Sequence, residues 1–307
     1  MVQESFPPIL ISSYCRPLLT LQAVKRILSD VPQAKLYVSH DGLVPNHFEI
    51  EHYKTRQILL SLSKNTPQLE LNLRDENSGL MNHIMSVFEK ILLKYNSLIF
   101  LEEDQLVQVQ GLKFLAEVTY DKGISHRCAF SSTDHPLRSN QKSWRNTFFP
   151  EQWGISINRE AFEAIKLEYQ AKSVTSDVVR RVINLLEEPR IRRRALIDYW
   201  LVVLQNSIND PHSWDALFQL MLWRNLVPSH NSINNFVTDL GGGEGSITKR
   251  DRVIGAKNYQ DHNLNKFNFC LRCEKLDAER RNISTLGAFR SRLRIRSRIL
   301  NYFQNNL

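Results

Sequence analysis

The chain has 307 residues, 42% of them apolar, which is enough for one large or two small globular domains with a buried core. Its apolar runs fall well short of the roughly 20 residues that cross a bilayer, which argues against a membrane-spanning protein. The amino terminus lacks the basic and apolar regions of a secretory signal, so we expect a cytoplasmic location.

The net charge of +8 is concentrated near the carboxyl terminus. Residues 271–307 hold nine Lys or Arg and three Asp or Glu, which leaves an excess of +6 in that segment. This asymmetry argues against a nucleic-acid surface spread over the fold and favours a basic appendage. Its arginines alternate with other residues, at Arg290, Arg292, Arg294, Arg296 and Arg298. Such a tail either lies against anionic lipid or stays solvated, and the sequence leaves both interpretations open.

The four cysteines are too few and too scattered for a disulfide framework in a chain of this length, which indicates reduced thiols. Cys270 and Cys273 form a lone C-x-x-C pair, whereas a structural zinc site needs four ligands. We therefore do not expect a zinc site there.

Strands and helices alternate through the first hundred residues. Short apolar runs bounded by turn residues predict strands over 7–14, 34–42, 69–74 and 97–104. Apolar residues at helical spacing predict helices that open at Arg16-Pro17, cover 47–64, and follow Gly79. This alternation predicts an α/β fold in which helices cover a mostly parallel sheet.

The second half is less regular and predominantly helical. Strands are predicted over 128–132 and 151–158, followed by a mostly helical stretch from about 160 to 207. A further helix is predicted from near Ser213, a candidate cap, to before Pro228. The glycine-rich segment 239–251 is predicted to be a loop, and Gly241–Gly243 in it would suit a lid over a bound substrate.

Polar residues follow each of the first four predicted strands. They are Arg16 after the first strand, Asp41 after the second, Arg74 and Asp75 after the third, and Glu102, Glu103 and Asp104 after the fourth. Ligands of parallel sheets bind beyond these strand ends, so the side chains should converge on one edge. Three adjacent carboxylates repel one another unless a cation or hydrogen-bond donors hold them. An isolated acidic triplet is more often a solvated turn, but its position here favours a site for Mg²⁺ or Mn²⁺ that bridges a diphosphate.

Six segments together resemble a known family. "IFLEEDQLV" resembles the E-D-D form of the D-x-D element of GT-A glycosyltransferases, in particular N-acetylglucosaminyltransferase I and related bacterial nucleotide-diphospho-sugar transferases. The other segments match in the same order: "PILISSYCRP", "LYVSHDG", "RDENSGLMNHIMSVFEKI", "FFPEQWGISINREAF" and "SWDALFQLMLW". The resemblance implies a GT-A domain over 1–265, with a nucleotide-binding half (1–110) and an acceptor half (111–265), followed by a basic tail (266–307).

The resemblance implies roles in donor binding for the residues at the strand ends. Asp104 would coordinate Mn²⁺ or Mg²⁺, Glu103 would lie at the ribose or sugar, and Glu102 would support them. Asp41 would hold the nucleotide base, unless it is simply the first residue of a turn. Arg16 would lie near the phosphates or base. Arg74 and Asp75 are assigned to the donor nucleotide as well.

On the acceptor side, the resemblance implies that Asp215 is the general base of an inverting transfer. It would remove the proton from an acceptor hydroxyl that attacks the anomeric carbon opposite the leaving diphosphate. Asp215 also suits the first turn of a helix, where the macrodipole favours a carboxylate. Trp153, Gly154 and Trp214 would contact the acceptor or sugar, although both tryptophans also suit a core.

The sequence departs from the family pattern at three places. Glu103 and Gln105 stand where the usual element has an aspartate and an apolar residue. The loop that holds a histidine in many bacterial relatives has Ser246, Ile247 and Thr248 instead, so a histidine ligand cannot be assumed. The helical stretch between residues 158 and 207 is also longer than the family pattern leads us to expect, which leaves acceptor recognition open.

The leading hypothesis is therefore a metal-dependent glycosyltransferase that moves a hexosyl or N-acetylhexosaminyl group from a nucleotide-diphosphate sugar, with UDP favoured, to a glycan or lipid-linked acceptor in polysaccharide biosynthesis. A basic tail would hold such an enzyme at the inner membrane face. One alternative is a sugar-phosphate nucleotidyltransferase, but "SSYCRPLLT" lacks the glycine-rich loop such enzymes carry after their first strand. The other is a non-enzymatic protein that binds membrane or nucleic acid through its arginines.

Overall fold

The computed structural model describes residues 6–120, 128–132, 144–147, 153–171, 173–186, 189–209, 214–226 and 229–240. The strands are β1 Ile9–Ser13, β2 Leu36–His40, β3 Leu69–Leu73, β4 Ser97–Glu102, β5 Gln105–Val107, β6 Cys128–Ser132, β7 Trp144–Thr147, β8 Trp153–Asn158, β9 Ser229–Asn235 and β10 Val237–Asp239. The helices are α1 Pro17–Asp30, α2 Glu49–Lys64, α3 Leu80–Leu92, α4 Val109–Tyr120, α5 Arg159–Ala171, α6 Ser176–Asn184, α7 Arg190–Asn209 and α8 Asp215–Asn225.

Within these residues, eight strands form one sheet in the order β3-β2-β1-β4-β8-β6-β9-β7. The first four strands are mutually parallel, β8 runs antiparallel to both β4 and β6, and β6 and β9 are parallel. The predicted α/β fold with a helical second half is thus confirmed. No described helix has both the length and the apolar character needed to span a membrane. The tail (266–307), the Cys270–Cys273 pair and the glycine-rich 241–251 lie outside the described residues, and the domain boundaries stay predictions.

The central strands carry continuous apolar runs because helices cover both faces of the sheet. In β4, Leu98 and Phe100 pack on the face covered by α3 and the second-half helices, whereas Ile99 and Leu101 pack on the face covered by α1, α2 and α4. Continuous apolar runs are what strands buried on both faces require. The apolar stripe predicted along α3 is buried on the first of these faces: Met81, Ile84, Met85, Phe88, Ile91 and Leu92.

This topology brings the carboxyl ends of β2, β1 and β4 side by side. Ser12 of β1 is paired with Glu102 of β4, and Ser13 is paired with His40 of β2. A small second sheet lies next to them, in which β10 pairs antiparallel with β5. The backbone N–H of Leu240, directly after β10, donates to the carbonyl of Asp104 at 2.9 Å. The chain therefore enters its glycine-rich segment beside the acidic residues.

Candidate active site

Glu102 ends β4, and Glu103 and Asp104 form the turn to β5; together they are called the acidic turn below. Gln105 fixes this turn to the rest of the sheet. The buried amide oxygen of Gln105 accepts hydrogen bonds from the backbone N–H of Glu102 at 3.2 Å and of Gly154 at 3.0 Å. Gly154 has φ of 71°, a left-handed conformation that favours glycine. Gln105, which departs from the family pattern, therefore has a positioning role that sequence reasoning missed. Gly154 contributes its backbone, and of Trp153 only the backbone is described.

Arg16 lies opposite this turn and forms an ion pair with Asp104. Its Nη1 donates to Asp104 Oδ2, and the two side chains are 12% and 15% exposed. Burial lowers the pKa of Arg16, but the negative charges of Glu103 and Asp104 outweigh this effect and raise it. The structure thus brings two predicted residues from the first and fourth strand ends into direct contact.

Glu102 links the acidic turn to the start of α8. The indole Nε1–H of Trp214 donates to Glu102 Oε1 at 2.9 Å. The Trp214 ring is 6% exposed and packs edge to face on Phe100 and Phe218, with centroid distances of 5.2 and 5.0 Å. The ring therefore belongs to the core, while the indole N–H points to the acidic turn. Contact of Trp214 with the acceptor or sugar stays a prediction.

Both glutamates of the turn have raised pKa values. Burial, followed by the charge of Asp104, raises the pKa of Glu102 to about 7 and that of Glu103 to about 8. The charge of Asp215 also contributes to the shift of Glu102, which shows that Asp215 lies within electrostatic range of the turn. Both carboxyls therefore keep their protons to a higher pH than a solvated glutamate does, chiefly because they are buried.

Asp215 is the first residue of α8, two residues after the predicted start at Ser213, which is not among the described residues. Its Oδ1 accepts the backbone N–H of Ala216 at 2.9 Å, and its side chain is exposed. Asp215 therefore occupies the helix-start position expected from the macrodipole and also faces outward next to the acidic turn. These two features do not conflict in a general base, which must be accessible to its substrate.

Asp41 follows β2 and is held through one carboxylate oxygen. Oδ1 accepts the backbone N–H of Gly42 at 3.0 Å and both the N–H and Oγ–H of Ser78 at 3.2 Å. Arg74 Nε lies 3.7 Å from the same oxygen. Gly42 is required here because a Cβ would lie 2.1 Å from the carbonyl carbon of Glu76. The described contacts of the Asp41 carboxylate all go to Oδ1.

Buried histidines lie next to Asp41, a feature that the sequence did not indicate. His52 Nε2 lies 2.9 Å from the backbone oxygen of Asp41, and His83 Nδ1 lies 3.5 Å from Oδ1. The His40 ring packs against the His52 ring at 4.3 Å. Burial lowers the pKa of His40 to about 3 and also lowers that of His83, so both are neutral at physiological pH. The negative charge of Asp41 is therefore not cancelled by an imidazolium at these two positions.

Of the two predicted site residues after β3, Arg74 lies at the site and Asp75 does not. Arg74 joins Asp41, and its Nη1 also donates to Ser86 Oγ at 3.2 Å. The Asp75 carboxylate is 89% exposed and pairs with Arg56 Nη2 at 2.8 Å. The structure thus brings Arg74 to the site, while Asp75 is directed to solvent and its role in donor binding stays a prediction.

A complete metal cage made of protein ligands is not present in the described part of the chain. No group of three or more His, Cys, Asp or Glu residues there has the geometry to hold a metal ion. Mg²⁺ in phosphate-transfer sites is commonly bound by one or two carboxylates, with substrate phosphates and water completing its six positions. Asp104, with Glu103 and Glu102 in the same turn, provides carboxylates of this kind.

Comparison with known proteins gives structural neighbours only. No family model and no curated protein matches the sequence. Similar solved structures include S. aureus TarS (residues 1–349) in complex with UDP-GlcNAc, with 10% identity, a TM-score of 0.36, and coverage of 63% of this chain and 71% of TarS. An active-site mutant of LgtC matches with 11% identity, a TM-score of 0.34, and coverage of 55% of this chain and 65% of LgtC.

A further similar structure is one assigned as a nucleotide-diphospho-sugar transferase from Desulfovibrio desulfuricans, with 10% identity, a TM-score of 0.31, and coverage of 51% of this chain. The match spans 65% of that protein, just under two thirds of its length, as it does for LgtC. At these identities and scores the likeness assigns neither substrate nor chemistry. The solved structures to which this chain is similar thus include nucleotide-diphospho-sugar transferases, and the case for function has to come from its own site.

Proposed function

We propose that this protein is a metal-dependent glycosyltransferase that uses a nucleotide-diphosphate sugar and inverts the anomeric configuration. The observation that carries the proposal is the meeting of Arg16, Asp104 and Glu102 at the ends of β1 and β4, next to Asp215 at the start of α8. A guanidinium, a carboxylate cluster and an accessible carboxylate are the groups needed to hold a diphosphate and deprotonate an acceptor.

The acidic turn has the donor chemistry for Mn²⁺ or Mg²⁺, which bind hard carboxylate oxygens. Burial, and after it the charge of Asp104, disfavours the ionised forms of Glu102 and Glu103, and a divalent ion beside them would favour these forms. Asp104 would be the direct ligand, and the diphosphate would supply further oxygens. When bound, the ion stabilises the charge that develops on the leaving nucleotide diphosphate.

Asp41 is proposed to recognise the base. Its Oδ2 is an acceptor, so it favours a base that presents an N–H, as uracil does at N3, over cytosine, which presents an acceptor there. The backbone N–H of Gly42 and the buried ring of His83 position this carboxylate through Oδ1. This supports a uridine diphosphate donor.

Asp215 is proposed as the general base that takes the proton of an acceptor hydroxyl. Its carboxylate is exposed and lies within electrostatic range of Glu102, so acceptor and donor would meet between α8 and the acidic turn. The acceptor would be a hydroxyl of a glycan or of a lipid-linked sugar. Contact of the basic tail with the membrane is a separate proposal that rests on sequence alone.

Calorimetric titration of UDP in the presence and absence of Mn²⁺ tests this function. We expect Mn²⁺ to strengthen UDP binding by about tenfold or more, and Asp104→Ala to abolish this gain. Asp30→Ala serves as the matched control, because Asp30 belongs to a surface ion pair with Arg26. Binding of UDP that is indifferent to Mn²⁺ in the wild type, or unchanged by Asp104→Ala, would refute the proposal. A panel of nucleotide sugars tested for Mn²⁺-dependent hydrolysis would then identify the sugar.

A further inference from the structure

Arg16 occupies the position next to Asp104 that a cation would take. It precedes Pro17, the first residue of α1, and its guanidinium reaches across the end of β1 to Asp104 Oδ2 on the neighbouring strand end. Both side chains are mostly buried, and the charge of Glu103 also acts on Arg16. In the ligand-free protein, the proposed metal ligand is thus already neutralised by a residue of the chain.

A divalent ion and Arg16 compete for the same carboxylate. An ion on Asp104 would place two further positive charges close to the guanidinium in a site with little solvent, where the repulsion between like charges is strong. Metal binding alone would therefore cost the contact between Arg16 and Asp104. A nucleotide diphosphate can bind both cations at once. Some of its phosphate oxygens can accept bidentate hydrogen bonds from a guanidinium, while others coordinate the ion.

We infer that Arg16 acts as an internal cation that holds Asp104 in the empty enzyme and is transferred to the donor diphosphate when the donor binds. The metal then binds together with the donor and only weakly before it. This inference rests on the proposed function and deepens it, because it makes Arg16 a positioning residue that sets the order of binding. By linkage, metal and nucleotide must strengthen each other's binding by the same factor.

The test is a Mn²⁺ titration of the full-length protein followed by electron paramagnetic resonance of free Mn²⁺, with and without UDP, corrected for Mn²⁺ bound by UDP itself. In the wild type we expect UDP to tighten Mn²⁺ binding by about tenfold or more. In Arg16→Gln we expect Mn²⁺ alone to bind about fivefold or more tighter than in the wild type, and the gain from UDP to shrink. Arg26→Gln, which removes a guanidinium from a surface pair on the same helix, should match the wild type.

Arg16→Lys distinguishes a charge effect from a structural one. The lysine keeps the positive charge, so Mn²⁺ alone should bind as weakly as in the wild type. The inference would be overturned if Arg16→Gln and the wild type bound Mn²⁺ with equal affinity in the absence of UDP. It would also be overturned if the Gln and Lys variants had the same Mn²⁺ affinity. If Arg16→Gln does not fold, Arg16→Met carries the same expectations, because it also removes the positive charge and keeps an unbranched side chain.

The two proposals fail in different ways. A wild type that binds no Mn²⁺ even with UDP would remove the proposed function and this inference together. Equal Mn²⁺ affinity of the wild type with and without UDP would likewise remove both, because the coupling is reciprocal. If UDP does tighten Mn²⁺ binding in the wild type, an Arg16→Gln variant without a gain in Mn²⁺ affinity would remove only the inference. The fold of each variant is checked by circular dichroism before titration.

Discussion

Trp214→Phe would test whether the acidic turn and the proposed base are held in one geometry. The phenyl ring can keep the edge-to-face packing on Phe100 and Phe218, but it cannot donate the hydrogen bond that reaches Glu102 Oε1 at 2.9 Å. A hydrogen bond to a charged group contributes about 1.5 to 3 kcal/mol. For a chain of this size, we therefore expect the melting temperature to fall by about 2 to 5 °C.

Trp214→Phe should lower kcat more than it weakens binding of the donor nucleotide. Asp215 adjoins Trp214, so loss of the bond to Glu102 frees the start of α8 relative to the acidic turn. We expect kcat for transfer to fall by about tenfold to a hundredfold, while the UDP dissociation constant with Mn²⁺ changes by less than about twofold. The assay pairs initial rates, measured with the nucleotide sugar that the hydrolysis panel selects, with calorimetric UDP binding.

Trp200→Phe provides the control, because it makes the same ring substitution in α7, where Trp200 packs on Trp223 at 5.2 Å. This variant should lose stability from packing but retain kcat. The reasoning would be refuted if Trp214→Phe kept the wild-type kcat, or if the two variants lost kcat equally.

Three further predictions concern other parts of the site. Asp41→Asn should weaken UDP binding by about tenfold and narrow the preference for UDP over CDP, and an unchanged preference would remove Asp41 from base recognition. Asp215→Asn should leave the UDP dissociation constant within about twofold and reduce transfer by about a hundredfold or more; retained turnover would place the base elsewhere. The pKa of His40 is about 3 in the fold and 6.5 ordinarily, so the stabilisation it contributes is present above pH 6.5 and is lost as the pH falls toward 3, by about 1.4 kcal/mol per pH unit. Urea unfolding at pH 5 and 7 should therefore show a smaller pH effect for His40→Asn, and an equal effect would contradict the assignment.

The first half of the fold could be predicted because its signals are local. Strands buried on both faces are continuous apolar runs, as in β1 and β4, and the apolar stripe of α3 repeats with the helical period. In contrast, β9 has the sequence SHNSINN, which is almost entirely polar, yet the described side chains Ser229, His230, Asn231 and Ser232 are buried. Such a strand exists because β6 and β7 pair with its two sides. Pairing between distant segments leaves no periodic signal in the segment itself, which also explains why β5, β7 and β10 were missed.

In the candidate site, too, the local signals could be predicted and the contacts between distant segments could not. The strand-end rule identified which residues share one edge of the sheet, and the structure brings Arg16, Arg74, Asp41 and the acidic turn there. The specific pairs could not be predicted, since Arg16 and Asp104 are 88 residues apart, and Glu102 and Trp214 are 112 residues apart. The direction of an exposed side chain, as for Asp75, is likewise set by a partner on another element, Arg56 of α2.

Anomalous diffraction at the manganese absorption edge, from crystals grown with UDP and MnCl₂, would locate the metal in the donor complex. We expect a single strong peak at coordination distance, about 2.2 Å, from an Asp104 carboxylate oxygen and from diphosphate oxygens. The guanidinium of Arg16 should have moved from Asp104 to the phosphates. A diphosphate bound without manganese at Asp104, or a peak located away from the acidic turn, would mean that Asp104 does not hold the metal.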